Sequence, residues 1–187
     1  MLNTFAVYVE NKPGVLTRVA SLFRRRAYNI ESLTVGHTEK PGVSRMTIVV
    51  DTDESGARRL EAHLYKLVNV LLVESITESA SVARDLALIK VGAKADQRSQ
   101  VLQLAQVFRA RVVDVAIESI ILEITGTEDK IDGLLEVLAP YGILEMVRTG
   151  RVAMARGIKA NTPAIATANG SKVAAVFEEE QGVSYSV

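Results

Sequence analysis

Residues 2–10 (LNTFAVYVE) form a run dense in β-branched, aromatic and small apolar side chains, the pattern of a buried strand. Asn11-Lys12-Pro13-Gly14 interrupts it, and apolar positions then recur at Val15, Leu16, Val19, Ala20, Leu22 and Phe23 with helical spacing. Arg24, Arg25 and Arg26 end that helix with cations, where its dipole favours them. Asn29 to His37 alternates as a strand, Glu39 to Gly42 is a turn, and Val43 to Val50 is the returning strand of a hairpin. Asp53 to Tyr65 predicts a second helix with Leu60 and Leu64 facing inward, and Val68 to Ile76 a fourth strand. The order is β-α-β-β-α-β, a ferredoxin-like unit.

The order then repeats. Asp85 to Ala93 predicts a strand, Gln97 to Arg109 a helix, Val112 to Ile117 and Ser119 to Thr125 two strands turning at Glu118. A helix capped by Thr127 to Lys130 runs to Leu138, Pro140 stops it, and Ile143 to Ala153 predicts one last strand. The expected fold class is therefore α+β, with two ferredoxin-like βαββαβ domains at residues 1–79 and 84–157. From residue 158 to 187 turn formers and scattered alanines carry too few large apolar groups to offset ordering entropy, which predicts a flexible tail with a short helix near Lys172 to Glu180.

Composition narrows the function. The 187 residues hold 22 Lys and Arg against 22 Asp and Glu, so the basic excess of a nucleic-acid binder is missing. The strand Val43 to Val50 has none of the aromatics that an RNA-binding unit of this order displays. Cysteine is absent, which excludes disulfides, thiolate metal sites and Cys nucleophiles. No apolar run is long enough to span a membrane or resembles a signal peptide, so a cytoplasmic protein is expected. His37 and His63 have no second metal ligand nearby in sequence, and no phosphate-loop, dinucleotide or nucleophile-elbow pattern occurs among the 12 glycines. No catalytic residue, metal ligand or cofactor of its own is expected.

The most informative segment is Glu10 to Arg18 (ENKPGVLTR). Gly14 lets the backbone approach a ligand at a helix start, where free N–H groups attract an anion. Asn11 offers a side chain that can cap the helix or hydrogen-bond a small molecule. An ordinary strand-to-helix turn would look the same.

Resemblance adds the specificity. N-K-P-G-V-L-T-R-V resembles the effector loop of ACT domains, small amino-acid-binding regulatory modules. R-A-Y-N-I-E-S-L-T-V, S-R-M-T-I-V-V and L-Y-K-L-V-N-V resemble the regulatory small subunit of acetohydroxyacid synthase, also called acetolactate synthase. The likeness is dense through residue 78 and continues, more loosely, through E-I-T-G-T-E-D-K-I-D and R-T-G-R-V-A-M-A-R-G to Gly157. It implies an ACT domain at residues 1–79, and a non-catalytic partner of a large subunit that carries thiamine diphosphate, FAD and Mg. The small subunit is expected to raise that subunit's activity and to make it sensitive to valine or another branched-chain amino acid. It also implies a homodimer through the ACT domains, with Asn11, Lys12, Pro13, Gly14, Val15 and Leu16 of one copy facing Asn29 and Ile30 of the other. The second copy's corresponding turn, Gly92 to Asp96, lacks Asn-x-x-Gly, so effector binding is expected in the first domain alone. A free-standing ACT-type sensor acting on another enzyme is the alternative.

Overall fold

The structure, a computed structural model, describes residues 1–157 and Pro163. Apart from Pro163, the tail expected to be flexible, with its short helix, therefore lies outside the described residues. The first half folds as β1 (Leu2–Glu10), α1 (Val15–Arg25), β2 (Ile30–His37), β3 (Val43–Asp51), α2 (Glu54–Leu64) and β4 (Val70–Ser75). The second half folds as β5 (Ser81–Gly92), α3 (Arg98–Val107), β6 (Arg111–Val115), β7 (Ser119–Gly126), α4 (Glu128–Leu138), a 3-10 turn (Ala139–Tyr141), β8 (Ile143–Arg148) and β9 (Val152–Ala155). Two antiparallel sheets result, with strand orders β2-β3-β1-β4 and β6-β7-β5-β8. This is the expected α+β architecture of two ferredoxin-like units.

Each sheet buries one face under its own pair of helices. Phe5, Val7 and Val9 of β1 alternate inward against Val19, Phe23, Leu60 and Leu64. Ala87, Ile89 and Val91 of β5 do the same against Val101, Ile131 and Leu134. The other face of the first sheet is covered as well, for Ala6, Tyr8, Thr47 and Val49 are buried. Arg45 of β3 lies 5.5 Å from the centre of the Tyr8 ring and donates to the Ala153 carbonyl of β9 at 2.5 Å.

Two segments differ from the expectation. Ser81 to Arg84, at the expected domain boundary, is strand, because β9 supplies its partners from Ser81↔Ala155 to Arg84↔Val152. The single last strand expected over Ile143 to Ala153 is interrupted. Arg148 pairs with Ala87 and Val152 with Arg84, so Thr149, Gly150 and Arg151 stand opposite only Asp85 and Leu86. The extra residue makes a bulge, where Thr149 N–H donates to the Leu86 carbonyl at 2.9 Å and its hydroxyl accepts from Leu86 N–H at 3.0 Å.

Candidate functional site

The loop from β1 to α1 is held by a side-chain network that the sequence does not reveal. Lys12 Nζ lies 3.2 Å from Glu10 Oε2, which accepts from Asn69 Nδ2 at 2.5 Å, and Asn69 Oδ1 accepts from Arg18 Nη1 at 2.6 Å. Asn11 N–H donates to the Gly42 carbonyl at 2.7 Å, tying the loop to the β2–β3 hairpin. Only the Glu10–Lys12 spacing hinted at this; Asn69 and Arg18 are brought in by the sheet.

Gly14 takes the N-cap position of α1 with φ +80°, a left-handed conformation that Pro13 cannot adopt and that glycine adopts without strain. No side chain caps the helix, and its first turn carries no acidic residue. Asn11, a candidate cap in the sequence, turns instead toward His37, its Nδ2 lying 3.4 Å from His37 Nδ1. Val15 N–H donates weakly to the Lys12 carbonyl at 3.4 Å, while Leu16 and Thr17 N–H have no partner among the described residues. The helix start thus presents unpaired donors and a favourable dipole, with open space around Gly14.

The expected site residues fall into two groups. Asn11, Lys12, Pro13, Gly14 and Leu16 are exposed around the helix start. Val15 belongs there through its main chain only, since its side chain is buried in the first core. Asn29 is exposed and donates to Glu31 Oε1 at 2.5 Å, whereas Ile30 packs partly against the first core. Topology keeps the groups apart within one chain. Glu10 pairs with Val43 at the start of β3, and Ile30 with Val50 near its end, seven residues on. That is roughly 23 Å at the usual rise of a strand.

A second concave feature lies where the two sheets meet. A cleft of about 500 Å³ is lined by Glu31 and Ser32 of β2 and by Asp85, Arg148 and Arg151 of the second half. Asp85, buried, accepts from Arg148 Nη2 at 2.8 Å and Nε at 3.1 Å. Arg148 also pairs with Asp132 at 2.9 Å, and Arg151 with Glu128 at 2.7 Å. Partial burial opposes the Arg148 charge, but its hydrogen bonds to Asp85 and the fields of Asp85, Asp132 and Glu128 outweigh it and raise its pKa. Among the described residues no group of three His, Asp or Glu side chains is placed to hold a metal ion, and no helix is long and apolar enough to cross a membrane.

Comparison with known proteins identifies this arrangement. Residues 5–72 match the family described as the AHAS small subunit-like ACT domain, and residues 84–157 that described as the small subunit of acetolactate synthase. A probable acetolactate synthase small subunit of Archaeoglobus fulgidus is 53% identical over 159 residues, covering 85% of this chain and 99% of that one. The acetolactate synthase small subunit of Mycolicibacterium smegmatis is 50% identical over 155 residues, covering 83% of this chain and 91% of its own. The crystal structure of the acetolactate synthase small subunit from Thermotoga maritima superposes with a TM-score of 0.79 at 39% identity, covering 85% of this chain and 99% of that one. The chain belongs to the acetolactate synthase small-subunit family.

Proposed function

We propose that this chain regulates acetolactate synthase by binding valine, or another branched-chain amino acid, between the β1–α1 loop of one copy and the start of β2 of a second. The observation that carries the reading is the helix start at Gly14, where unpaired Leu16 and Thr17 N–H groups suit the effector's carboxylate. Asn11 and Asn29 have their Nδ2 groups turned to His37 and Glu31, so their Oδ1 atoms are left to accept from the effector's ammonium. Leu16, 44% exposed, is the apolar contact for the branched side chain. The separation of Asn11 and Asn29 along β3 supports a site shared between two copies, because one copy cannot bring both to a molecule of that size.

In this reading residues 1–79 bind effector and 84–157 contribute to activating a catalytic large subunit, which carries thiamine diphosphate, FAD and Mg. The chain does no chemistry itself; it biases the arrangement of that partner in the cytoplasm. A site built from two copies links occupancy to how the copies are set, and an effector acts only as far as it prefers one setting.

The test is calorimetry of the purified chain against valine, leucine and isoleucine, with acetolactate assays of the chain alone and mixed with a large subunit. Binding of one of the three, no product from the chain alone, and raised, effector-sensitive turnover in the mixture are expected. Acetolactate from the chain alone would overturn the regulatory reading. Binding without any effect on a large subunit would favour a free-standing sensor.

A further inference from the structure

Two β-bulges meet where the sheets touch. On β2 the register against β3 slips between Ile30 and Ser32, leaving Glu31 as the extra residue. Between β8 and β9, which both pair with β5, the extra residue lies among Thr149, Gly150 and Arg151. A bulge takes backbone groups off the ladder and bends its strand. The Arg151 N–H freed in this way donates to Ser32 Oγ at 2.7 Å. Gly150 comes so close to β2 that a Cβ there would stand 2.5 Å from the Leu33 carbonyl oxygen and 2.6 Å from Thr34 Oγ1. That is a requirement for close approach. Thr34 Oγ1 is itself buried without a hydrogen-bond partner.

We propose that this bulge-on-bulge contact is the joint through which occupancy of the effector site reaches the second half of the molecule. The proposal rests on the effector reading given above. Asn29 and Ile30 immediately precede the first bulge, and the Asn29 amide holds Glu31 Oε1 at 2.5 Å. An amino acid that draws on Asn29 therefore acts directly on the residue whose position sets the β2 register. Ser32 and Leu33 follow at once, and they bear on Gly150 and Arg151 with no side chain of Gly150 to cushion the contact. On the far side, Arg151 is bound through Glu128 to α4, and β8 and β9 both hang from β5, the strand to which β7 also pairs. A shift at the joint is thus delivered to the second sheet through short, stiff connections.

The experiment uses the full chain with Gly150→Ala and, separately, Ser32→Ala. Three readouts are taken: calorimetry with valine, valine inhibition of the complex with a large subunit, and amide hydrogen exchange over residues 148–153 with and without valine. Both variants should bind valine within about threefold of the unmodified chain and still activate the large subunit. Their half-inhibiting valine concentration should rise by about tenfold or more, the size of an ordinary coupling between sites. Valine should slow exchange at Thr149 to Val152 in the unmodified chain and leave it unchanged in the variants. Folded variants that are inhibited like the unmodified chain overturn the joint. Valine binding that falls in step with inhibition also overturns it, by placing these residues in the site itself. Ser32→Ala decides the matter if Gly150→Ala does not fold. An unmodified chain that binds none of the branched-chain amino acids overturns the effector reading and the joint with it, which separates the two failures.

Discussion

In the proposed reading Gly14 has two roles, which separate cleanly on substitution. Its φ of +80° disfavours any side chain by about 1–2 kcal/mol, although no atom lies within 4 Å of where a Cβ would stand. Gly14→Asp should therefore fold with a slightly lower melting temperature, since a carboxylate at a helix N-terminus returns about 0.3–1 kcal/mol. The same carboxylate would compete for the Leu16 and Thr17 N–H groups. Like charges a few ångströms apart repel by about 1–4 kcal/mol, and effector binding should weaken roughly tenfold to a thousandfold. Calorimetry beside thermal unfolding checks both halves; a folded variant with unchanged affinity would remove Gly14 from the site. His63 offers a different handle. Burial foremost, then the positive charges of Arg26, Lys66 and Arg59, hold its pKa below the ordinary 6.5, and its Nδ1 is buried without a partner. The unfolded chain takes up this proton near pH 6.5 and the folded chain only at lower pH. Stability from this group is thus complete above 6.5 and declines as the pH falls below it. His63→Gln should lose less of its melting temperature than the unmodified chain between about pH 7.5 and about pH 5.5. Equal losses would show that His63 does not govern the acid sensitivity.

The helices α1 and α2 begin by opposite devices. α2 is capped by Asp53, whose carboxylate accepts from Gly56 N–H at 2.7 Å, and that bond, with the Ser55 hydroxyl, holds its pKa below the usual carboxylate value. α1 has no side-chain cap, so its donors remain available. α3 and α4 also begin without a side-chain cap, so α2 alone among the four helices is closed in this way, and the proposed effector site uses the open start of α1. Asp53→Ala should cost about 0.5–2 kcal/mol and lower the melting temperature without touching effector affinity. Loss of valine binding in that variant would tie α2 to the site after all. Among the strands, β8 is exposed from Ile143 to Val147 and β1 is buried along its centre. β5, though paired on both edges like β1, alternates buried Ala87, Ile89 and Val91 with the exposed Leu88.

The two halves are joined by polar groups more than by a shared apolar core. Those that cross are Arg45 to the Ala153 carbonyl and Arg151 N–H to Ser32 Oγ. Asp85 braces the second half's side of the cleft, 2.8 Å from Arg148 and 4.0 Å from Arg151, with these two arginine side chains about a fifth exposed. Removing the carboxylate leaves Arg148 to Asp132 and Arg151 to Glu128, each on α4. Breaking a fully buried pair costs about 3–5 kcal/mol; partial exposure here reduces the expectation for Asp85→Ala to about 2–4 kcal/mol. The melting temperature should fall by roughly 4–16 °C, and by less in Asp85→Asn, which keeps hydrogen-bonding atoms in place. An unchanged midpoint in Asp85→Ala would mean that Asp132 and Glu128 hold the two arginines without it.

Local patterning is why the element order could be read directly. The alternation of Phe5, Val7 and Val9 and the helical spacing of Val15, Val19, Leu22 and Phe23 record which side of each element is buried. The turn at Pro13-Gly14 was legible for the same reason, since both residues restrict or free their own φ. Relations between distant segments left no such trace. Ser81-Val82-Ala83-Arg84 has the composition of a linker and is a strand only because β9, some seventy residues later, pairs with it. Arg148 to Val152 is compatible with an uninterrupted strand, and the bulge exists because three residues must fit against two of β5. Val15, Leu16 and Ile30 stand alike among the expected site residues, yet Val15 is buried in the core and Ile30 packs partly against it, while Leu16 stays outside. The separation of Asn11 from Asn29 is likewise a property of strand order, because β3 lies between β1 and β2 and carries their ends seven residues apart. Side-chain periodicity is written residue by residue, but register, bulges and the meeting of two sheets depend on partners the chain finds only when it folds.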